Sequence, residues 1–145
     1  MYVYKALVHC LPASNKLKLV QLVNQNSNTP IDVIQLSYYD FGVVAQANGV
    51  YVGVTLVRVE PGDHGRHFKV HHCCVSEKHR RRGNARDMLQ IVKDDITRHD
   101  NISMTLPVED LEWKGDFLER TGWTHVKTTM TEMVWEYSHD HRDAL

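Results

Sequence analysis

Long apolar runs are missing from this sequence. The most extended, Val50 to Val59, falls far short of the roughly 20 residues a membrane-crossing helix needs, so no membrane span is expected. The opening MYVYKALVHC lacks the charged start and long apolar middle of a secretory leader. Charge of one sign is lacking too: 17 Lys+Arg against 18 Asp+Glu leave a net charge of -1, which points to neither nucleic acid nor membrane. Cysteines number only three, and two of them, Cys73 and Cys74, are adjacent. Strand neighbours point to opposite faces, so that pair is poorly placed to form a bridge. No C-x-x-C or H-E-x-x-H spacing occurs, so no metal is expected, and a reducing cytoplasm is the expected compartment. Disorder is excluded by a composition of 42% hydrophobic and 24% charged residues. With no repeat and no linker, residues 1–145 read as one globular domain.

The local signals alternate between strand and helix. Tyr2 to His9 is rich in β-branched and aromatic residues and predicts a first strand. Ser14 or Asn15 then caps a helix through about Asn24, with Leu17, Leu19, Val20, Leu22 and Val23 as its apolar part. A polar loop, Asn24 to Pro30, leads into Ile31–Asp40, which reads as a short helix or an irregular crossover. Two apolar runs, Val43–Ala47 and Val50–Val59, flank Asn48-Gly49, the dipeptide a type I′ hairpin turn prefers. Breakers from Glu60 to Gly65 close the second run, and Phe68 to Val75 gives another strand. Ala85, Met88, Leu89, Val92 and Ile96 follow at helical spacing as one apolar stripe. Ile102–Val108 predicts a strand, Asp110–Thr121 a short helix stopped by Gly122, and Trp123–Thr129 with Met130–Tyr137 a closing hairpin. This order implies an α+β fold: a mixed, mostly antiparallel sheet with helices on both faces.

The chemistry concentrates in one stretch, Val70 to Leu89. A strand ends, a basic loop follows, and a helix begins at Gly83-Asn84-Ala85. The first amides of a helix have no internal acceptor and carry the positive end of its dipole, which makes an anion site. Gly83 admits a close approach of the backbone, and Arg80, Arg81 and Arg82 add fork-shaped donors for phosphate oxygens. Neither the Gly-x-x-x-x-Gly-Lys-Ser/Thr loop nor Gly-x-Gly-x-x-Gly fits the spacing.

The hexapeptide Arg80-Arg81-Arg82-Gly83-Asn84-Ala85 resembles the acetyl-CoA pyrophosphate loop of the GNAT superfamily, Gln/Arg-x-x-Gly-x-Gly/Ala. Val75-Ser76-Glu77 is similar to the family's Val-x-x-Glu strand exit, and Asn48-Gly49 followed by Val52-Gly53 to its second hairpin. Phe117 to Trp123 is similar to its late Phe-Tyr-x-x-x-Gly-Phe element. The resemblance covers almost the whole chain and implies a sheet of about seven strands with a splayed cofactor cleft. It implies that Arg80, Arg81, Arg82, Gly83, Asn84 and Ala85 hold the CoA pyrophosphate through backbone amides, with Arg86 or Arg81 nearby. Cys74 and Val75 would pair by backbone with the pantetheine arm. Acetyl-CoA would be the co-substrate, and a primary amine, on a protein or a small molecule, would attack its acetyl carbon directly in a ternary complex.

The sequence departs from the family at the acid. Leu118 stands where the tyrosine is usual, and Leu111 where an asparagine is common. Tyr137 is a substitute acid or, by default, a packed tyrosine. His71 lies where the family often places a carboxylate base, and its ordinary pKa near 6.5 suits proton uptake at neutral pH; the competing role is a packed strand histidine. Glu109, just after the next strand, is a second base candidate or a solvated loop carboxylate.

Bland readings stand beside these. Cys73 and Cys74 suit buried small hydrophobes, and Trp113, Trp123 and Trp135 core or cleft lining. His139-Asp140-His141 has the donors for an adventitious metal, but its terminal position favours a solvated tail. The basic stretch Lys78–Arg86 suggests nucleic acid, but the acidic spread from Asp94 to Glu119 weighs against it. The expected function is therefore N-acetyl transfer from acetyl-CoA, with an inactive CoA-binding or protein-interaction module as the alternative. A homodimer is left open.

Overall fold

The computed structural model describes residues 2–27, 30–107, 117–130 and 132–138. Glu109, Leu111, Trp113, His139 and His141 lie outside the described residues. The chain divides into two compact units. One comprises Met1–Arg58 with His71–Asp94, the other Val59–Val70 with Asp95–Leu145.

Strand β1, Tyr2–Ala6, pairs antiparallel with β2, Phe41–Ala47. It stops short of the expected His9, because Val8–Cys10 turns into a 3-10 helix that buries Val8 completely. Helix α1, Ala13–Asn26, also starts earlier than expected. Pro12, not Ser14 or Asn15, precedes its first turn, and the Pro12 carbonyl accepts from the Asn15 and Lys16 amides, each at 3.0 Å. Proline has the fixed φ of a helix start and no amide needing a partner, so the coil begins directly after it. The Asn15 side chain instead donates to the Tyr51 hydroxyl at 2.9 Å.

Ile31–Asp40 resolves into a 3-10 helix over Ile34–Tyr38. Asp32 and Gln35 brace it reciprocally, each side-chain oxygen accepting the other's amide, at 2.8 and 2.9 Å. Strand β2 then turns at Asn48 (φ 52°) and Gly49 (φ 78°), both left-handed as a type I′ turn requires, into β3, Val50–Pro61. Leu19, Val20, Leu22 and Val23 of α1 pack with Leu36, Tyr39, Val44, Val54, Leu56 and Cys74 as one core. Side chains alternate along β3, so Gly53 and Thr55 face away from Val54 and Leu56. On that opposite face Met88 of α2, Asn84–Asp95, would lie 3.1 Å from any Cβ on Gly53. Helices thus cover both faces of β3.

Strand β4, Arg66–Val75, pairs parallel with β5, Asn101–Pro107, from His67↔Asn101 to Val70↔Met104. A parallel neighbour requires a crossover, and α2 supplies it. The turn after α2 is tied by Asp100, whose buried carboxylate accepts from the Arg66 amide (2.8 Å), the Arg66 guanidinium (2.8 Å), the Thr97 amide (2.9 Å) and the Thr97 hydroxyl (3.1 Å). Burial alone would raise this carboxyl's pKa; the Arg66 and Thr97 hydrogen bonds overcome it and hold the group far below the usual carboxylate range.

A helical turn at 117–120 buries Leu118 and ends at Gly122 (φ 93°), with the Trp123 amide closing back on the Leu118 carbonyl at 2.9 Å. The closing hairpin is β6, Thr124–Thr128, and β7, Glu132–Ser138, antiparallel to each other, with β7 antiparallel to β5. The seven strands hydrogen-bond in the order β1-β2-β3-β4-β5-β7-β6, a mostly antiparallel sheet as expected. No helix among the described residues is long and apolar enough to cross a membrane.

Candidate active site

Burial alternates along β4. Phe68, Val70, His72 and Cys74 are buried, while Lys69, Cys73 and Val75 are half-exposed and His71 is exposed. The strand ends at Val75, and the Ser76 amide continues onto β3 by donating to the Val52 carbonyl at 2.8 Å. The connection to α2 is braced internally. Ser76 Oγ lies 2.9 Å from His79 Nδ1, and the buried Asn84 donates its side-chain amide to the His79 carbonyl at 2.9 Å. Arg81 (φ 64°) and Gly83 (φ 80°) both adopt left-handed backbone, which only glycine adopts without strain.

The first bond of α2 runs from the Asp87 amide to the Gly83 carbonyl at 2.9 Å. The amides of Asn84, Ala85 and Arg86 therefore precede it and have no acceptor inside the helix. Gly83 has no side chain to cap them. The Arg86 guanidinium folds back over this turn, since a Cβ on Gly83 would meet its Nη2 at 2.7 Å. Arg81 and Arg82 are exposed beside it. Unbonded amides, a helix dipole and three guanidiniums together make a site for a multiply charged anion.

A second feature of the same unit surrounds His71. Its ring lies edge-on to Tyr38 (centroids 5.6 Å apart) and to Tyr39 (5.5 Å), while Tyr38 and Tyr39 meet edge-on at 5.4 Å. The Arg58 guanidinium stacks on Tyr38 at 3.9 Å. Burial, and then the neighbouring Tyr38, push the Tyr39 pKa up, so that hydroxyl stays neutral. Two residues further along β4, Cys73 Sγ accepts from the fully buried Thr55 hydroxyl at 3.4 Å.

The sequence compares with known proteins as follows. The family profile described as an acetyltransferase (GNAT) domain matches residues 21–134. The chain belongs to the GNAT acetyltransferase family. No curated protein matches it by sequence. Among solved structures, Naa50 from Arabidopsis thaliana, in complex with the bisubstrate analogue CoA-Ac-MVNAL, superposes with a TM-score of 0.81 at 15% identity, over 95% of this chain and 99% of that one. The ribosomal-protein-S18-alanine N-acetyltransferase from Escherichia coli gives 0.72 at 10% identity, over 93% and 92%. The PaiA N-acetyltransferase from Thermoplasma acidophilum, in complex with coenzyme A, gives 0.73 at 6% identity, over 96% and 100%. At these identities the likeness is one of fold, and the fold is that of GNAT acetyltransferases.

As a GNAT member the protein is an acyltransferase. Of the residues singled out by sequence, Cys74, Val75 and Arg80 through Arg86 fall together at the exit of β4 and the start of α2. Cys74 is buried in the α1 core, which leaves only its backbone for a ligand. His71 lies four residues back along the same strand. Tyr137, in the other unit, is 6% exposed and packs against Trp123 with ring centroids 5.8 Å apart. Leu118, at the family's usual tyrosine position, is a core side chain, and Trp123 and Trp135 are core as well.

Tyr38, Tyr39 and Arg58 are not legible in the sequence as neighbours of His71. Their signals are faint: two adjacent tyrosines, and the single cation of a mostly apolar strand. Sequence also passed over His67, whose Nε2 lies 2.7 Å from Ser103 Oγ; burial, then Lys69, pushes its pKa down. Among the described residues no cluster of His, Cys, Asp and Glu is arranged to hold a metal ion.

Proposed function

We propose that this acetyltransferase takes acetyl-CoA as its co-substrate and passes the acetyl group to a primary amine by direct attack in a ternary complex. The observation that carries the reading is the left-handed turn at Gly83 into α2, which leaves three amides unbonded beneath the Arg86 guanidinium. Two of the proteins of like fold were solved with CoA or a CoA-linked peptide, which supports a diphosphate-bearing carrier over a simple phosphate. A bisubstrate analogue joins donor and acceptor in one molecule, which suits direct transfer.

In this reading, the amides of Asn84, Ala85 and Arg86 bind the pyrophosphate, with Arg82 and Arg86 adding charge-assisted hydrogen bonds. The backbone of Cys74 and Val75 pairs with the pantetheine amides as an added strand. At about 3.3 Å per residue, His71 lies ~13 Å back from Val75, a distance suited to the thioester end of an extended arm.

His71 acts as the base. The acceptor gives up its ammonium proton to solvent and attacks as the free amine; as its nitrogen bonds to the acetyl carbon, the neutral imidazole takes the proton that nitrogen must then shed, directly or through one water. The carbon–sulfur bond breaks and CoA leaves as thiolate, a good enough leaving group to depart without the tyrosine that Leu118 replaces. The proton held by His71 later returns to the thiolate through solvent. Glu109 stands as the second base candidate.

The test is release of free thiol from acetyl-CoA with a panel of amines: peptide N-termini, lysine side chains, polyamines and small amines. Turnover with at least one of them is expected. Binding of CoA with no acetyl transfer to any class would contradict the reading.

A further inference from the structure

Arg80 differs from its neighbours in the basic loop because its guanidinium is engaged within the protein. Nε donates to the Val75 carbonyl at 3.0 Å, and Nη2 donates to Asn26 Oδ1 at 3.1 Å. Asn26 is the last residue of α1 and lies 54 positions away in sequence. Its own side-chain nitrogen donates to the Leu22 carbonyl at 2.9 Å. A carbonyl only accepts and a guanidinium only donates, so both partners fix the same orientation of the Asn26 amide. Helix α1 has no basic residue in its last turn, and the Arg80 charge, brought from a distant loop, complements the negative end of its dipole.

The residue that follows is Arg81, at φ 64°. A side-chain-bearing residue persists in left-handed backbone only where the surroundings hold it there. On one side of Arg81 the Arg80 side chain bridges the β4 exit and α1; on the other, Asn84 is tied to the His79 carbonyl at 2.9 Å. We propose that Arg80 is a positioning residue, a clamp from Asn26 of α1 to Val75 at the end of β4, that holds the Arg81–Gly83 turn in the shape presenting the α2 amides, and is not itself a ligand of the pyrophosphate. This rests on the reading of that turn as the CoA site and assigns α1 a part in it.

The test is a double-variant cycle on Asn26→Ala and Arg80→Ala, with CoA affinity measured by calorimetry at several salt concentrations. A clamp predicts that each single variant weakens CoA about three- to tenfold, that the double variant is no worse than Arg80→Ala, and that neither changes the salt dependence. Asn26→Asp keeps an acceptor for the guanidinium and should retain most of the affinity. A phosphate ligand predicts the reverse: Asn26→Ala frees Arg80 and leaves binding equal or tighter, Asn26→Asp competes for it, and Arg80→Ala flattens the salt dependence. Any of these results overturns the clamp.

A readout without CoA separates this proposal from the site reading. If wild type gives no heat with CoA, the site reading fails, and hydrogen exchange still decides the clamp. The Asp87 amide, bonded to the Gly83 carbonyl, should exchange faster in Asn26→Ala. Unchanged exchange there overturns the proposal.

Discussion

Replacing Gly83 with alanine separates the two roles of the turn before α2. At φ 80° an L-residue is in left-handed backbone, which costs about 1–2 kcal/mol. The new Cβ would also stand 2.7 Å from Arg86 Nη2 and 3.2 Å from its Cζ. These atoms end a flexible, exposed side chain, so the guanidinium swings away and adds little to the loss of stability. Against a total of roughly 5–15 kcal/mol the variant remains folded. Binding should suffer more. The added methyl bars close approach to the unbonded amides, and Arg86 leaves the turn; losing one charge-assisted hydrogen bond costs about 1.5–3 kcal/mol, or roughly a 10- to 100-fold weaker CoA complex. Denaturant unfolding measures the first effect and calorimetry with CoA the second. Arg86→Ala is the companion: unchanged stability, with only the guanidinium's share of the affinity lost. Should Gly83→Ala lose the predicted stability yet bind CoA within about twofold of wild type, the reasoning is refuted.

Three further variants test other parts of the structure. Asp100→Ala takes the acceptor from the Thr97 and Arg66 amides, while the half-exposed Arg66 guanidinium keeps water and the Asp95 carbonyl, and should destabilise the fold by about 1–3 kcal/mol in urea unfolding. Because the folded pKa of Asp100 lies below the unfolded value, the unfolded state takes up the proton first; the contribution is complete above about pH 4 and lost as the pH falls further, so the gap between wild type and Asp100→Ala should narrow in acid. His71→Ala should lower kcat by about 10²- to 10⁴-fold with CoA affinity unchanged, and normal turnover across the pH range would exclude it as base. Tyr38→Ala, which opens one wall of the His71 corner, should change kcat/KM for the amine and leave CoA binding intact; the same calorimetry and thiol-release assays read both.

How far the sequence foretells this molecule depends on the distance over which each feature is encoded. Asn48-Gly49 and Gly122 were legible because their left-handed backbone follows from local chemistry, and Gly83 because a glycine between a basic loop and an apolar helical stripe has few other uses. The start of α1 was misplaced for a local reason: Ser14 and Asn15 are good caps, but Pro12 already satisfied the helix start. Contacts spanning tens of residues left no pattern. Nothing near Arg80 indicates Asn26, and nothing near Asp100 indicates Arg66. The same holds for the site around His71. The histidine was singled out from strand alternation and from the family resemblance, but the two tyrosines and the arginine that frame it arrive from other elements.

Calorimetric titration of the intact chain with acetyl-CoA, repeated with dephospho-CoA and with free pantetheine, addresses the central claim directly. Tight binding of both nucleotide-bearing forms and a large loss with pantetheine, which lacks the diphosphate, is the predicted result. Equal binding of all three, or no heat from any, would contradict an anchor of helix amides on the carrier's diphosphate.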